Sequence, residues 1–161
     1  MRVILWAGLF AFAVDQISKY LVIHGLELSR VRSIDVLPPV LNFRYGENRG
    51  INFGLFNGAS EASRWGLIGL ALVICLAVLI WARRTDLGVL ARIGAGFLIG
   101  GAMANVLDRL IYGYVLDFLN MSCCGWDNPF VFNLADVFIF GGAIALAYFA
   151  PASKTAAKKG Q

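Results

Sequence analysis

The sequence predicts an all-α membrane protein with four transmembrane helices and a small β-structured outer loop between helices 1 and 2. Three observations carry that prediction. First, 59% of the 161 residues are hydrophobic and only 15% are charged, with a mean hydropathy of +0.71. A soluble domain averages about 45–50% apolar and about 25% charged residues. Second, four apolar segments approach or exceed the ~20 residues that a bilayer crossing requires. Third, the ionisable residues inside those segments are gathered rather than scattered.

The four segments are Val3–Ile23, Trp65–Trp81, Leu87–Ile111 and Phe132–Ala150. In the first, Arg2, an apolar run and Ala11-Phe12-Ala13 resemble a cleavable secretory signal. The apolar run resumes through Ile17, Tyr20, Leu21, Val22 and Ile23, so it reads as a retained span. Basic residues orient the bundle. Arg2 precedes span 1, Arg83, Arg84 and Arg92 surround the link between spans 2 and 3, and Lys154, Lys158 and Lys159 follow span 4. Four spans place all three groups on one side, so both termini are expected in the cytoplasm. The final residues, about 152–161, read as a disordered cytoplasmic tail. The whole chain reads as one domain.

The outer segment after span 1 is too long for a turn. Pro38-Pro39, the alternation around Val40–Tyr45 and glycines at 46, 50 and 54 predict a β-hairpin or small sheet within about 28–58. Asn57, Gly58 and Ser60 read as its link into span 2. The second outer segment, about 112–131, reads as a loop.

The three cysteines form no disulfide framework: Cys75 lies in an apolar run, and Cys123 and Cys124 are adjacent. With His24 the only histidine, no metal site is expected. The net charge of +4 comes without a basic, aromatic-interleaved patch, so nucleic acid is not an expected partner.

On a helical wheel Gly101, Asn105, Asp108, Arg109 and Tyr112 fall within one arc of about 100°. Such a stripe must face other helices or a wet cavity. Asp108 and Arg109 could be a structural ion pair, and Asn105 an interhelical hydrogen bonder. Gly96, Gly100 and Ala104 recur at i+4, a pattern that permits close helix packing. Asp117 follows the outer end of span 3, and Asp136 lies about one turn into span 4 from its outer end. Asn133 shares the helix face of Asp136. Two carboxylates at similar depth can share a proton and hydrolyse a peptide bond without metal or covalent intermediate. The plainer alternatives are a helix-start acid at Asp136 and an exposed loop acid at Asp117. An intramembrane proton relay in a small transporter is a rival from another class, although it expects acids near the bilayer midplane and repeated halves.

Five motifs in order resemble the lipoprotein signal peptidase (signal peptidase II) family, the bacterial inner-membrane aspartyl peptidases. They are DQISK at 15–19, ENRGINFG at 47–54, GGAMANVLDR at 100–109, GYVLDF at 113–118 and FNLADVFI at 132–139. The resemblance spans nearly the whole chain. It implies a four-helix bundle with an extracellular β-cradle between helices 1 and 2. It also implies removal of signal peptides from diacylglyceryl-modified prolipoproteins, just before the lipidated cysteine, at the outer face of the inner membrane. The implied catalytic pair is Asp117 and Asp136. Asn48, Asn105, Arg109 and Asn133 would bind substrate or support the dyad. Asp15, Lys19, Gly101, Asp108 and Ala135 would give structural support, with Asp108 backing Arg109 and neighbouring helices. No cofactor is implied. The expected partners are the prolipoprotein and membrane lipid, with globomycin as inhibitor, for a protein acting as a monomer.

Overall fold

A computed structural model describes residues 1–50, 61–122, 125 and 128–150. The expected motif residues Phe53 and Gly54, the link at 57–60, the Cys123-Cys124 pair and the tail 152–161 lie outside them. The chain is mostly helical. Helix α1 runs Arg2–Lys19 and continues as a π-helical segment, Tyr20–Gly25; a short α2 follows at Leu28–Val31. Strands β1 (Ser33–Leu37) and β2 (Leu41–Asn48) form an antiparallel pair. Then come α3 (Glu61–Arg84), α4 (Val89–Ile111), β3 (Val115–Met121) and α5 (Leu134–Phe149). The α1 segment through Gly25, α3 and α4 are long and apolar enough to cross a membrane, whereas α5 is an apolar helix of 16 residues.

Helix α4 is the axis of the bundle, and glycine makes it so. A Cβ on Gly96 would stand 2.6 Å from both the Ile4 carbonyl oxygen and the Ala7 Cβ of α1. On another face, a Cβ on Gly94 would meet the Gly142 carbonyl oxygen of α5 at 2.9 Å. One on Gly101 would meet the Ala135 carbonyl oxygen at 2.5 Å. Backbone therefore packs on backbone along both seams, which is how apolar helices gain contact where lipid competes for every larger side chain. The small-residue pattern Gly96, Gly100, Ala104 contributes to the α1 seam, since Gly100 abuts Gly8. Helix α3 is attached differently. Only Ile68, Cys75 and Ala82 are buried along it, at every seventh position. Val78 packs partly against the same core as Ala82, and much of the remaining apolar surface faces outward.

The α1 stripe toward α4 starts apolar and ends charged: Ile4 and Ala11 are buried, and so are Asp15 and Lys19. Lys19 Nζ lies 2.7 Å from Asp15 Oδ2 and 2.7 Å from Asp108 Oδ2 of α4. The remaining lone pairs are also used. Asp15 Oδ1 accepts the Ala135 N–H at 2.8 Å, Asp108 Oδ2 accepts the Leu116 N–H at 3.1 Å, and Gln16 Nε2 donates to Asp108 Oδ1 at 2.9 Å. One cation thus fastens α1, α4, the start of β3 and the start of α5. Asp108 forms its ion pair with Lys19 rather than with its neighbour Arg109, on which its charge still acts. Their sequence adjacency pointed the wrong way, because the two side chains leave α4 about 100° apart.

The second outer segment is not a plain loop. Strand β3 pairs with β2 to give the order β1-β2-β3, so the sheet is not confined to the segment between the first two long helices. Phe132 adds a bridge on the other side, exchanging hydrogen bonds with Leu119. Val115, Leu116, Asp117 and Phe118 are buried in succession, so the strand shows no polar–apolar alternation. Buried Asn120 shapes the return of the chain, donating to the carbonyls of Asn128 at 2.7 Å and Phe130 at 2.8 Å.

Two stability outcomes follow. Lys19→Met leaves two buried carboxylates facing each other without a cation, and should cost about 3–5 kcal/mol. Adding Asp108→Asn should restore part of the loss; equilibrium unfolding in detergent measures both. Gly96→Leu should lower the melting temperature sharply, because the atoms it meets include the α1 backbone. Gly141→Leu, with nothing within 4 Å of its Cβ, should leave the melting temperature nearly unchanged.

Candidate active site

Asp117 and Asp136 come together at the joint between β3 and α5. Strand β3 holds Asp117 opposite Gly46 of β2, where a Cβ on Gly46 would lie 3.5 Å from the Asp117 Cβ. Asp117 is 3% exposed. The Phe132 bridge brings the start of α5 alongside β3. There Asn133 is the N-cap of α5, and Asp136 is its partner in a capping box. The Asp136 N–H donates to Asn133 Oδ1 at 2.9 Å, and the Asn133 N–H donates to Asp136 Oδ2 at 3.2 Å. The helix-start role is therefore real, and it fixes the carboxylate.

Asparagines bridge the two acids. Asn133 Nδ2 donates to Asp117 Oδ1 at 2.6 Å and to Asn105 Oδ1 at 3.2 Å. Asn105 Nδ2 donates to Asp136 Oδ1 at 3.0 Å. Two groups that can only donate set the direction of every amide in this chain. The Asp136 N–H requires oxygen at Asn133 Oδ1, which turns Asn133 Nδ2 toward Asp117. The Lys19 ammonium, 3.4 Å from Asn105 Oδ1, requires oxygen there, which turns Asn105 Nδ2 toward Asp136. The Lys19 cluster is thus wired to the acids through one amide.

Asn48, at the exposed end of β2, accepts the Gly50 N–H at 3.1 Å through Oδ1, and its side chain acts on the Asp117 carboxyl in favour of the charged form. Arg109 is half-buried, with Nη1 donating to the Asn105 carbonyl at 3.3 Å. It lies within electrostatic reach of Asp136, Asp108 and Asp117, yet among the described residues it forms no ion pair. Burial first, and the charge of Asp136 second, push the Asp117 carboxyl up to about 7, against the pull of Asn48 and Asn133.

Asp15, Lys19, Asn48, Gly101, Asn105, Asp108, Arg109, Asn133 and Ala135 gather at this end of the bundle or directly behind it. Gly101 and Ala135 form the α4–α5 contact just below the acids, and the Ala135 N–H is the one held by Asp15. The sequence reading passed over Gln16 and Asn120, and used Gly46 only as a hairpin signal. Gln16 adjoins Asp15 inside a quoted motif, which was the available signal. Gly46 and Asn120 act through partners remote in the chain. Among the described residues no group of three or more His, Cys, Asp or Glu stands together to hold a metal.

The chain matches the family model for signal peptidase (SPase) II over residues 7–150. It is 38% identical over 143 residues to a lipoprotein signal peptidase of Alteromonas mediterranea, covering 88% of this chain and 76% of that protein. It is 39% identical over 145 residues to one of Rhodopseudomonas palustris, covering 88% and 87%. Among solved structures, a bacterial membrane enzyme superposes with a TM-score of 0.77 at 24% identity, covering 91% of each chain. That likeness concerns the fold, whereas the family match rests on sequence: this chain belongs to the lipoprotein signal peptidase (signal peptidase II) family.

Proposed function

We propose that this protein is an aspartic endopeptidase that removes signal peptides from diacylglyceryl-modified prolipoproteins, cutting just before the lipidated cysteine. The observation that carries the reading is the Asn133- and Asn105-bridged pair, Asp117 and Asp136. We infer that α5, about 24 Å long, completes a four-helix bundle in the bacterial inner membrane. Both termini are then cytoplasmic, and the sheet and the two acids lie at the periplasmic face. A substrate anchored by acyl chains presents its scissile bond at that depth, where water is available. The transporter alternative gains no support, because Asp117 lies on a strand and Asp136 in the first turn of α5, away from the middle of any span.

The two carboxylates are not equivalent. Asp136 accepts a donor on each oxygen and is part-exposed, an arrangement suited to the ionised base that takes a proton from water. Asp117 is buried and raised to about 7, suited to supplying a proton. The water oxygen attacks the scissile carbonyl carbon as Asp136 takes its proton and Asp117 protonates the carbonyl oxygen. The resulting diol collapses: one hydroxyl returns its proton to Asp117, the C–N bond breaks, and Asp136 delivers its proton to the leaving amine. Arg109 and Asn48 are placed to hold the peptide backbone beside the dyad, and no metal enters.

Purified protein should cleave a diacylglyceryl-modified prolipoprotein, with globomycin blocking the reaction and EDTA leaving it intact. Asp117→Asn and Asp136→Asn should each lose cleavage by orders of magnitude while inserting normally. Substantial turnover by either variant, or metal-dependent recovery after EDTA, would overturn the mechanism.

A pH test follows from Asp117. Its carboxyl titrates near 3.8 in the unfolded chain and at about 7 in the fold, so the folded protein holds this proton more tightly. The stabilisation is complete below the unfolded value and is lost as pH rises through about 7. An amide in place of this carboxyl has no such proton to lose. Asp117→Asn should therefore melt progressively higher than wild type from about pH 5 to about pH 8. Wild-type cleavage should fall over the upper part of that range. Parallel melting curves at every pH would refute the assignment of the proton to Asp117.

A further inference from the structure

The pole opposite the two acids holds a cavity of about 340 Å³ with no role in the reaction. It opens where the start of α1, the end of α3 and the start of α4 meet. Its lining includes Ile4 and Ala82, both buried, and the charged side chains of Arg83, Arg84, Asp86 and Arg92. Three arginines against one aspartate leave a net charge of +2. Asp86 is paired with Arg92 at 3.1 Å but is itself fully exposed. Arg83 and Arg84 make no ion pair with any described residue.

We propose that this cavity binds the phosphate headgroup of one anionic phospholipid. A guanidinium holds a phosphate with two parallel hydrogen bonds, and three arginines line this cavity. The volume falls within the about 300–1,000 Å³ of small-ligand sites. The apolar Ile4 and Ala82 beneath a cationic rim suit a headgroup with its glycerol and acyl stem, and suit a free phosphate poorly. The position matches as well: if α1, α3 and α4 cross a bilayer, this pole lies at headgroup level, where basic pockets between helices recruit acidic lipid. The orienting role of positive residues accounts for the side they occupy. It does not require them to line one cavity.

The test is a lipid titration of delipidated protein in detergent, read by native mass spectrometry. Phosphatidylglycerol and phosphatidylcholine of the same acyl chains are compared. Wild type should hold one phosphatidylglycerol at least about tenfold more tightly than phosphatidylcholine. Arg84→Gln and Arg92→Gln should each weaken that binding about fivefold. Arg83→Gln/Arg84→Gln/Arg92→Gln should erase the preference, and Arg30→Gln at the other pole should keep it. Equal retention of the two lipids by wild type would overturn the proposal, as would unchanged binding in both single variants. The single variants carry the test if the triple one fails to insert. Displacement of the lipid by inorganic phosphate or glycerol phosphate at equal concentration would make this a soluble-phosphate site and overturn the lipid assignment.

Discussion

One buried ammonium, Lys19 Nζ, shared at 2.7 Å between Asp15 and Asp108, is the interaction on which the end of the molecule that holds Asp117 and Asp136 depends. Removing three charges from water costs several kcal/mol per ion, and attraction repays that only when the remaining lone pairs are also satisfied. Here they are, by Gln16 and by the backbone N–H groups of Leu116 and Ala135. Those two N–H groups belong to the elements that carry Asp117 and Asp136. Each acid therefore sits one residue from a backbone atom pinned by the cluster. The cluster also reaches the acids through Asn105, whose amide it orients. A site displaced by 1 Å loses much of its rate, so in the proposed mechanism a rigid charged knot directly behind the acids acts on catalysis through their position.

Asn133 joins local folding to chemistry in the same way. As N-cap it satisfies an orphan N–H at the start of α5. Because its oxygen is committed to that N–H, its nitrogen is committed to Asp117 and Asn105. The reciprocal half of the capping box occupies Asp136 Oδ2. The structural and the functional readings of Asp136 are thus one arrangement seen twice: the hydrogen bonds that start the helix are the ones that hold the carboxylate in place.

What the sequence revealed follows the range over which each signal acts. The long apolar runs mark α1, α3 and α4, because the length of a span is a local property. The stripe Asn105–Asp108–Arg109 and the i+4 small residues were legible because helical period makes faces predictable. Strand β3 was not legible. Its residues Val115–Phe118 are buried without alternation, and its strand character arises from pairing with β2, about 70 residues earlier in the chain. Asp117 consequently read as a loop acid, where the structure holds it in a sheet. The partner of Asp108 was missed for the same reason: Lys19 is 89 positions away, while Arg109 is adjacent but turned aside. Asn120 and Gly46 likewise act only after remote segments have met.

The asymmetry of the two acids has a structural origin that the symmetric idea of a carboxylate pair conceals. Asp117 comes from a strand covered on both faces, so burial dominates its environment. Asp136 comes from the first turn of a helix, where the Asn133 N–H and the Asn105 amide each donate to one of its oxygens. A strand paired with a helix start supplies one poorly solvated site and one well-supplied with donors. Unequal carboxylates of this kind can hold a proton and accept one at the same pH. In the proposed mechanism, the β3 insertion between α4 and α5 is therefore the feature that gives the two nearby acids unlike surroundings.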